Sequence, residues 1–156
     1  VGILWQGLRH DLSKYSPTEF IPGAKYYSGT KSPNEGERRD KGYSLAWMHH
    51  KGRNRHHFEY WMDYNMEKRR YEPVEMPVRF VAEMFCDRVA ASKIYNPDTY
   101  NDSFPLEYFR RGKSHRIINQ KTSDLLEELL VMLSEKGEDE TFAYLKALVK
   151  ASRSNK

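Results

Sequence analysis

A single cysteine, Cys86, is all the thiol this chain possesses, which excludes an internal disulfide and fits a reducing, cytoplasmic setting. Long apolar runs are missing too. No stretch nears the ~18 residues that a membrane span needs, and nothing resembles a signal peptide, so no membrane partner is expected. No segment alternates apolar and polar residues for long enough to make a strand. Nor is there a strong excess of one charge: 26 Lys and Arg lie interleaved with 22 Asp and Glu, the pattern of a solvated surface. The densest basic stretches, Lys68-Arg69-Arg70 and Arg110 to Arg116, therefore read as surface or small phosphate contacts, with a nucleic-acid footprint the less favoured reading.

What is present is helical periodicity. At 156 residues the chain is expected to form one all-α, compact helical domain with a modest core. Ile3, Leu4, Leu8 and Leu12 mark the end of an amphipathic helix. The chain opens Val1-Gly2 without methionine and already inside that pattern, so further helix is expected upstream. Ser16-Pro17 starts a second short helix. Residues 22–42 lose all apolar periodicity and read as a long loop, able to close over a substrate. Ser44 caps a helix through His50, and Asn54 caps another predicted to reach about Arg70. Pro77 opens the strongest helix signal, which runs to Tyr95 and stops at Asn96-Pro97-Asp98. A short helical piece follows around Leu106 to Arg111. Thr122 or Ser123 caps a leucine-rich helix that Gly137 ends, and a closing helix follows.

The histidines are not scattered. Five of the six fall within residues 10–57, as His10-Asp11, His49-His50 and His56-His57, while His115 stands apart. Imidazole offers a neutral nitrogen to a metal, and an adjacent carboxylate offers charge and a second oxygen able to bridge two ions. Lys14 lies about one turn beyond His10-Asp11, where it can meet a phosphate. On a helix from Asn54, His57 borders the stripe of Phe58, Trp61, Met62 and Met66, which favours it over His56 as an inward ligand. Asp87 lies mid-helix among apolar residues with Glu83 one turn before it, so both carboxylates share a face; burying them is costly unless they are paired or metal-bound.

His10-Asp11-Leu12-Ser13-Lys14 resembles the signature of the HD-domain metal-dependent phosphohydrolases, helical proteins whose ligands run His, then His-Asp, then a later Asp. That resemblance implies an HD-domain-like fold. It also implies a divalent metal (Mn, Fe, Ni, Zn or Mg) held by His10, Asp11 and Asp87, with His50 and His57 serving a second ion or phosphate. It requires a first histidine before His10; residues 1–9 contain none, so either it lies upstream or the site is degenerate. The chain also resembles, over most of residues 8–95, an uncharacterised family of bacterial and phage proteins. The shared blocks are His10 to Phe20 with Ser16-Pro17 and Glu19, the segment from His50 through Asn54, His56 and His57 to Tyr60, and the Glu83 to Asp87 helix.

Two readings follow. The favoured one is a phosphohydrolase acting on a nucleotide or other small phosphorylated metabolite. Here Lys14 and Arg53 neutralise phosphate, Glu83 orients a ligand histidine, and Glu59 carries a proton. The other is a non-enzymatic helical binding module that meets nucleic acid or a protein through its basic clusters.

Overall fold

The computed structural model describes residues 1–29 and 31–154. Seven α-helices and one two-stranded hairpin make up the fold among these residues. The helices are α1 (Leu4–Leu8), α2 (Pro17–Lys25), α3 (Pro33–Lys41), α4 (Leu45–Lys51), α5 (Val78–Tyr95), α6 (Phe104–Arg111) and α7 (Gln120–Ser154), and the strands are β1 (Met62–Asn65) and β2 (Arg70–Pro73).

The core is built where the apolar periodicity is strongest. α5 packs against α7, and α6 lies on both. Phe80, Val81, Phe85 and Val89 of α5 meet Leu126, Leu129, Leu130 and Leu133 of α7, with Phe109 of α6 between them. Each such side chain contributes about 1.5–3 kcal/mol on burial. At Gly137 (φ 79°, ψ −179°) α7 breaks sharply, a conformation only glycine adopts at low cost, and the segment beyond returns Leu145 and Val149 to the same core. The first turn of α7 is capped by Asn119, whose Oδ1 accepts from Lys121 N (3.1 Å) and Thr122 N (3.4 Å). Thr122, an expected cap, instead accepts from Met76 N (2.9 Å) and ties the entry of α5 to α7.

Three expectations are corrected. The apolar stripe before His10 does not continue as one helix. α1 is a single short piece, Leu4, Leu8 and Leu12 are exposed, and His10-Asp11 sits in the tight turn that follows. The predicted helix from Asn54 to Arg70 is replaced by a 3-10 turn (Phe58–Tyr60) and the β1–β2 hairpin. Asn65 closes the hairpin loop, its Oδ1 accepting from Glu67 N (3.0 Å) and Lys68 N (2.9 Å), while Tyr64 and Tyr71 pair across the strands. Local side-chain bonds of this kind outcompete a helix whose stripe is only four residues wide.

The third correction concerns residues 22–42, which are not one loop. α2 runs through Lys25 and α3 fills Pro33–Lys41; Thr30, in the same stretch, lies outside the described residues. α3 carries nearly every end signal, with Pro33 in the first turn, Glu35 near the start, Arg38, Arg39 and Lys41 near the end, and Gly42 at φ 81°. Its anchor is polar. Glu37, fully buried, accepts from Ser44 Oγ (2.7 Å), Ala46 N (3.2 Å) and Lys41 Nζ (3.1 Å), joining α3 to the start of α4. Glu37→Ala strands these donors, and a loss on the order of 3 kcal/mol is expected. Thermal unfolding should show it as a fall in Tm of roughly 10 °C; an unchanged midpoint contradicts the anchoring role.

Candidate metal centre

Four short segments converge beside the core. The turn after α1 supplies His10 and Asp11, and α4 supplies His50 near its end. The chain between α4 and the 3-10 turn supplies His56 and His57, and α5 supplies Glu83 and Asp87. Each placement has a local cause. Asp11 adopts a left-handed backbone (φ 57°), which aspartate and asparagine tolerate better than most residues, and this turns its carboxylate inward. Ser44 caps α4 by accepting from Trp47 N (3.0 Å), fixing where His50 emerges. Asn54 folds the chain back after α4 by donating to His50 O (2.9 Å) and Ser13 Oγ (2.7 Å). Glu83 and Asp87 share a face of α5 because they are one turn apart.

The histidine rings are gripped from behind by carboxylates. His10 Nδ1 donates to Glu83 Oε1 (3.0 Å), and His56 Nδ1 lies 3.4 Å from the same oxygen. Gln6 Nε2 donates to the other Glu83 oxygen. His50 Nδ1 donates to Glu19 Oε2 (2.7 Å), whose other oxygen accepts from His49 Nδ1 (2.6 Å). With Nδ1 engaged, the Nε2 atoms point to the centre. His50 Nε2 and His56 Nε2 lie 3.3 and 3.5 Å from Asp11 Oδ1, and His10 Nε2 lies 3.4 Å from Asp11 Oδ2 and 3.3 Å from Asp87 Oδ1.

Among the described residues two ligand groups result, Asp11 with His50, His56 and His57, and His10 with His56 and Asp87; within each, the donor atoms lie within 4.8 Å of one another. Asp11 Oδ1, His56 Nε2 and His57 Nε2 are shut off from solvent yet have no hydrogen-bond partner. Donors ~2.1 Å from one tetrahedral ion stand about 3.4 Å apart, so these separations suit a cation better than a hydrogen-bond network. The residues present therefore fit a divalent metal.

Without an ion, a proton on His10 supplies the positive charge among these carboxylates, and a bound cation would have to displace it. His10 is raised to about 10, chiefly by its bonds to Asp87 and Glu83 against the opposing effect of burial. Burial pushes Glu83 upward, but the bonds from His10, His56 and Gln6 prevail and bring it to about 2. Burial likewise opposes the ionisation of Asp87 and Asp11, and the bond from His10 and that from Lys14, respectively, hold each below the usual carboxylate range. Burial and its neighbours His56 and His50 push His57 down to about 3, keeping it neutral as a ligand must be.

A family model matches residues 1–132 of the chain, and that span contains every residue of the cluster. The chain belongs to the family of unknown function DUF5662. No curated protein and no solved structure matches it.

In this DUF5662 chain the structure brings together His10, Asp11, His50, His57 and Asp87, with Glu83 behind them. Glu59 lies nearby, its Oε2 buried without a partner in a cavity that His56, His57 and Asp87 also line. Lys14 pairs with Asp11 Oδ2 (2.6 Å). Arg53 does not join the site; it is exposed and donates to His49 O (3.3 Å). Two residues escaped the sequence reading. His56, only 1% exposed and common to both ligand groups, had been ranked below His57 on the faces of a helix that does not form. Glu19 went unassigned although it lies in the His10 to Phe20 block; its burial and its bonds to His49 and His50 are long-range contacts that the sequence does not signal.

Proposed function

We propose that this protein is a metal-dependent phosphohydrolase of HD-domain-like type, acting on a small phosphorylated molecule such as a nucleotide. The observation that carries the reading is the ring of outward-pinned histidines. Glu83 and Glu19 hold the Nδ1 side of His10, His56 and His50, leaving their Nε2 atoms facing the Asp11 and Asp87 carboxylates. This is how ligand histidines are oriented and made more basic.

Asp11 with His50, His56 and His57, or His10 with His56 and Asp87, would hold a divalent ion. A divalent ion there supplies Lewis acidity toward a phosphoryl oxygen and makes water a stronger nucleophile near neutral pH. The chain's own groups do the rest. Asp11 and Asp87 concentrate negative charge where the cation sits, and Trp47, in contact with the His50 and His57 rings, walls the site on one side. Glu59 lines the same cavity and is the candidate proton carrier. Lys14 compensates Asp11 and stands at the edge of the site, where a phosphate can share it.

The test is elemental analysis of purified protein together with a panel of phosphomonoesters and nucleotides. Bound Mn, Fe, Ni, Zn or Mg is expected, with hydrolysis of at least one substrate that chelation abolishes and metal restores. Protein that takes up none of these ions under saturating conditions sinks the proposal, and a helical binding module becomes the better account.

A further inference from the structure

We infer that the cavity beside the histidine cluster is a receptor for the oxyanion of a phosphorylated molecule of nucleotide size, and that Arg88 is its chief donor. This deepens the phosphohydrolase reading and rests on it for the identity of the anion. The cavity has a volume of about 1120 Å³, and His57, Asp87, Arg88, Tyr108 and Arg116 are among its lining residues. Arg88 follows Asp87 on α5 but projects about 100° round the helix from it, and both side chains line this cavity.

Among the described residues, Arg88 is a part-buried cation that the fold leaves without an ion pair. Its Nε is shut off from solvent without a hydrogen-bond partner, and no described carboxylate stands in ion-pair contact with its guanidinium. Asp87 is turned to His10, and Glu59, on the same wall, does not reach it. Arg116 is near enough to repel it. Leaving a buried charge uncompensated is costly, and a ligand bringing the counter-charge removes that cost. The guanidinium fork matches two oxygens of one phosphate.

Arg116 is fixed rather than free. Its Nη1 donates to Phe109 O (2.6 Å) at the end of α6, and its guanidinium lies over the Phe109 ring at 5.3 Å. Gly112 makes room for it, because a Cβ there would stand 2.7 Å from Arg116 Nη2. Arg116 thus adds positive potential while Arg88 remains to bond. A lone phosphate leaves most of this volume vacant, and Trp47, Phe58 and Tyr108 line the remainder with surface suited to a ring.

The test is calorimetric titration of the full chain with inorganic phosphate and with adenosine monophosphate, in metal-loaded and chelator-treated protein, for wild type, Arg88→Gln and Arg88→Lys. Circular dichroism checks folding, and elemental analysis follows metal content. Wild type should bind both probes in both states, adenosine monophosphate the tighter. Arg88→Gln should weaken binding at least tenfold and Arg88→Lys, which keeps the charge but loses the fork, several-fold, with metal content unchanged. If Arg88→Gln fails to fold, Arg88→Lys decides. Wild-type affinity in a folded variant, or no phosphate binding by wild type, overturns the inference. Binding that depends on Arg88 in protein that takes up no metal supports the receptor while rejecting the hydrolase. Metal-dependent hydrolysis indifferent to Arg88 does the reverse.

Discussion

Replacing Asp11 with asparagine is expected to lower divalent-metal affinity at least about 100-fold and abolish activity, with the fold intact. Even residues that only orient metal ligands change affinity by about 10–100-fold, and Asp11 stands nearer the centre than these. One of its oxygens faces His50 and His56, the other His10 and Lys14. Asparagine keeps the shape and tolerates the left-handed backbone at this position (φ 57°), where alanine would be strained. What it removes is charge. Without a cation the substitution also removes the charge that Lys14, His50 and His10 stabilise, so thermal stability of the metal-free protein should fall modestly. Isothermal titration with Mn and Zn, alongside thermal melts, checks both halves. Wild-type metal affinity in Asp11→Asn means that Asp11 holds no ion.

Glu83→Gln should behave differently, weakening metal binding about 10–100-fold but in a way that excess metal overcomes. Glu83 touches no proposed cation position. It accepts from His10 Nδ1 and Gln6, and His56 Nδ1 lies 3.4 Å away, so one carboxylate aligns two rings on separate segments. Glutamine offers a single carbonyl oxygen, and its amide would set a donor against either Gln6 or His10. The rings then lose their common orientation, while every metal-binding atom remains. Metal titration should give a shifted midpoint with full occupancy at saturation, and rate should recover in step with occupancy. A rate that stays low at full occupancy assigns Glu83 a part in the chemistry; an unshifted midpoint removes it from the centre altogether.

Much of this was legible in the sequence, and the failures share a cause. The core helices were read correctly because Val81, Phe85 and Val89, or Leu126, Leu129, Leu130 and Leu133, recur at helical spacing and are buried for that reason. The pairing of Glu83 with Asp87 followed from one turn of helix. α3 was missed because it has no apolar stripe to detect; its fixed point is the carboxylate of Glu37, and the amino-acid string does not show what a glutamate accepts from. The Phe58 to Met66 stripe misled because turn bonds at Asn65 and strand pairing overrode periodicity, and the ranking of His57 over His56 fell with that helix. Glu19 and Arg88 depend on contacts between residues far apart in the chain, which spacing does not encode.

The break at Gly137 bears on how the chain is cut for laboratory work. The family likeness stops at residue 132, just short of the break, and invites trimming there. Yet Leu145 and Val149, beyond it, are among the most deeply buried side chains, and Phe142 sits edge-on against Phe85 of the central helix. A fragment ending at the last matched position would leave α5 and the first half of α7 with a raw apolar face, apt to clump in solution. The matched span and the stretch needed to keep oily surface dry therefore end at different places, at least one helical segment apart.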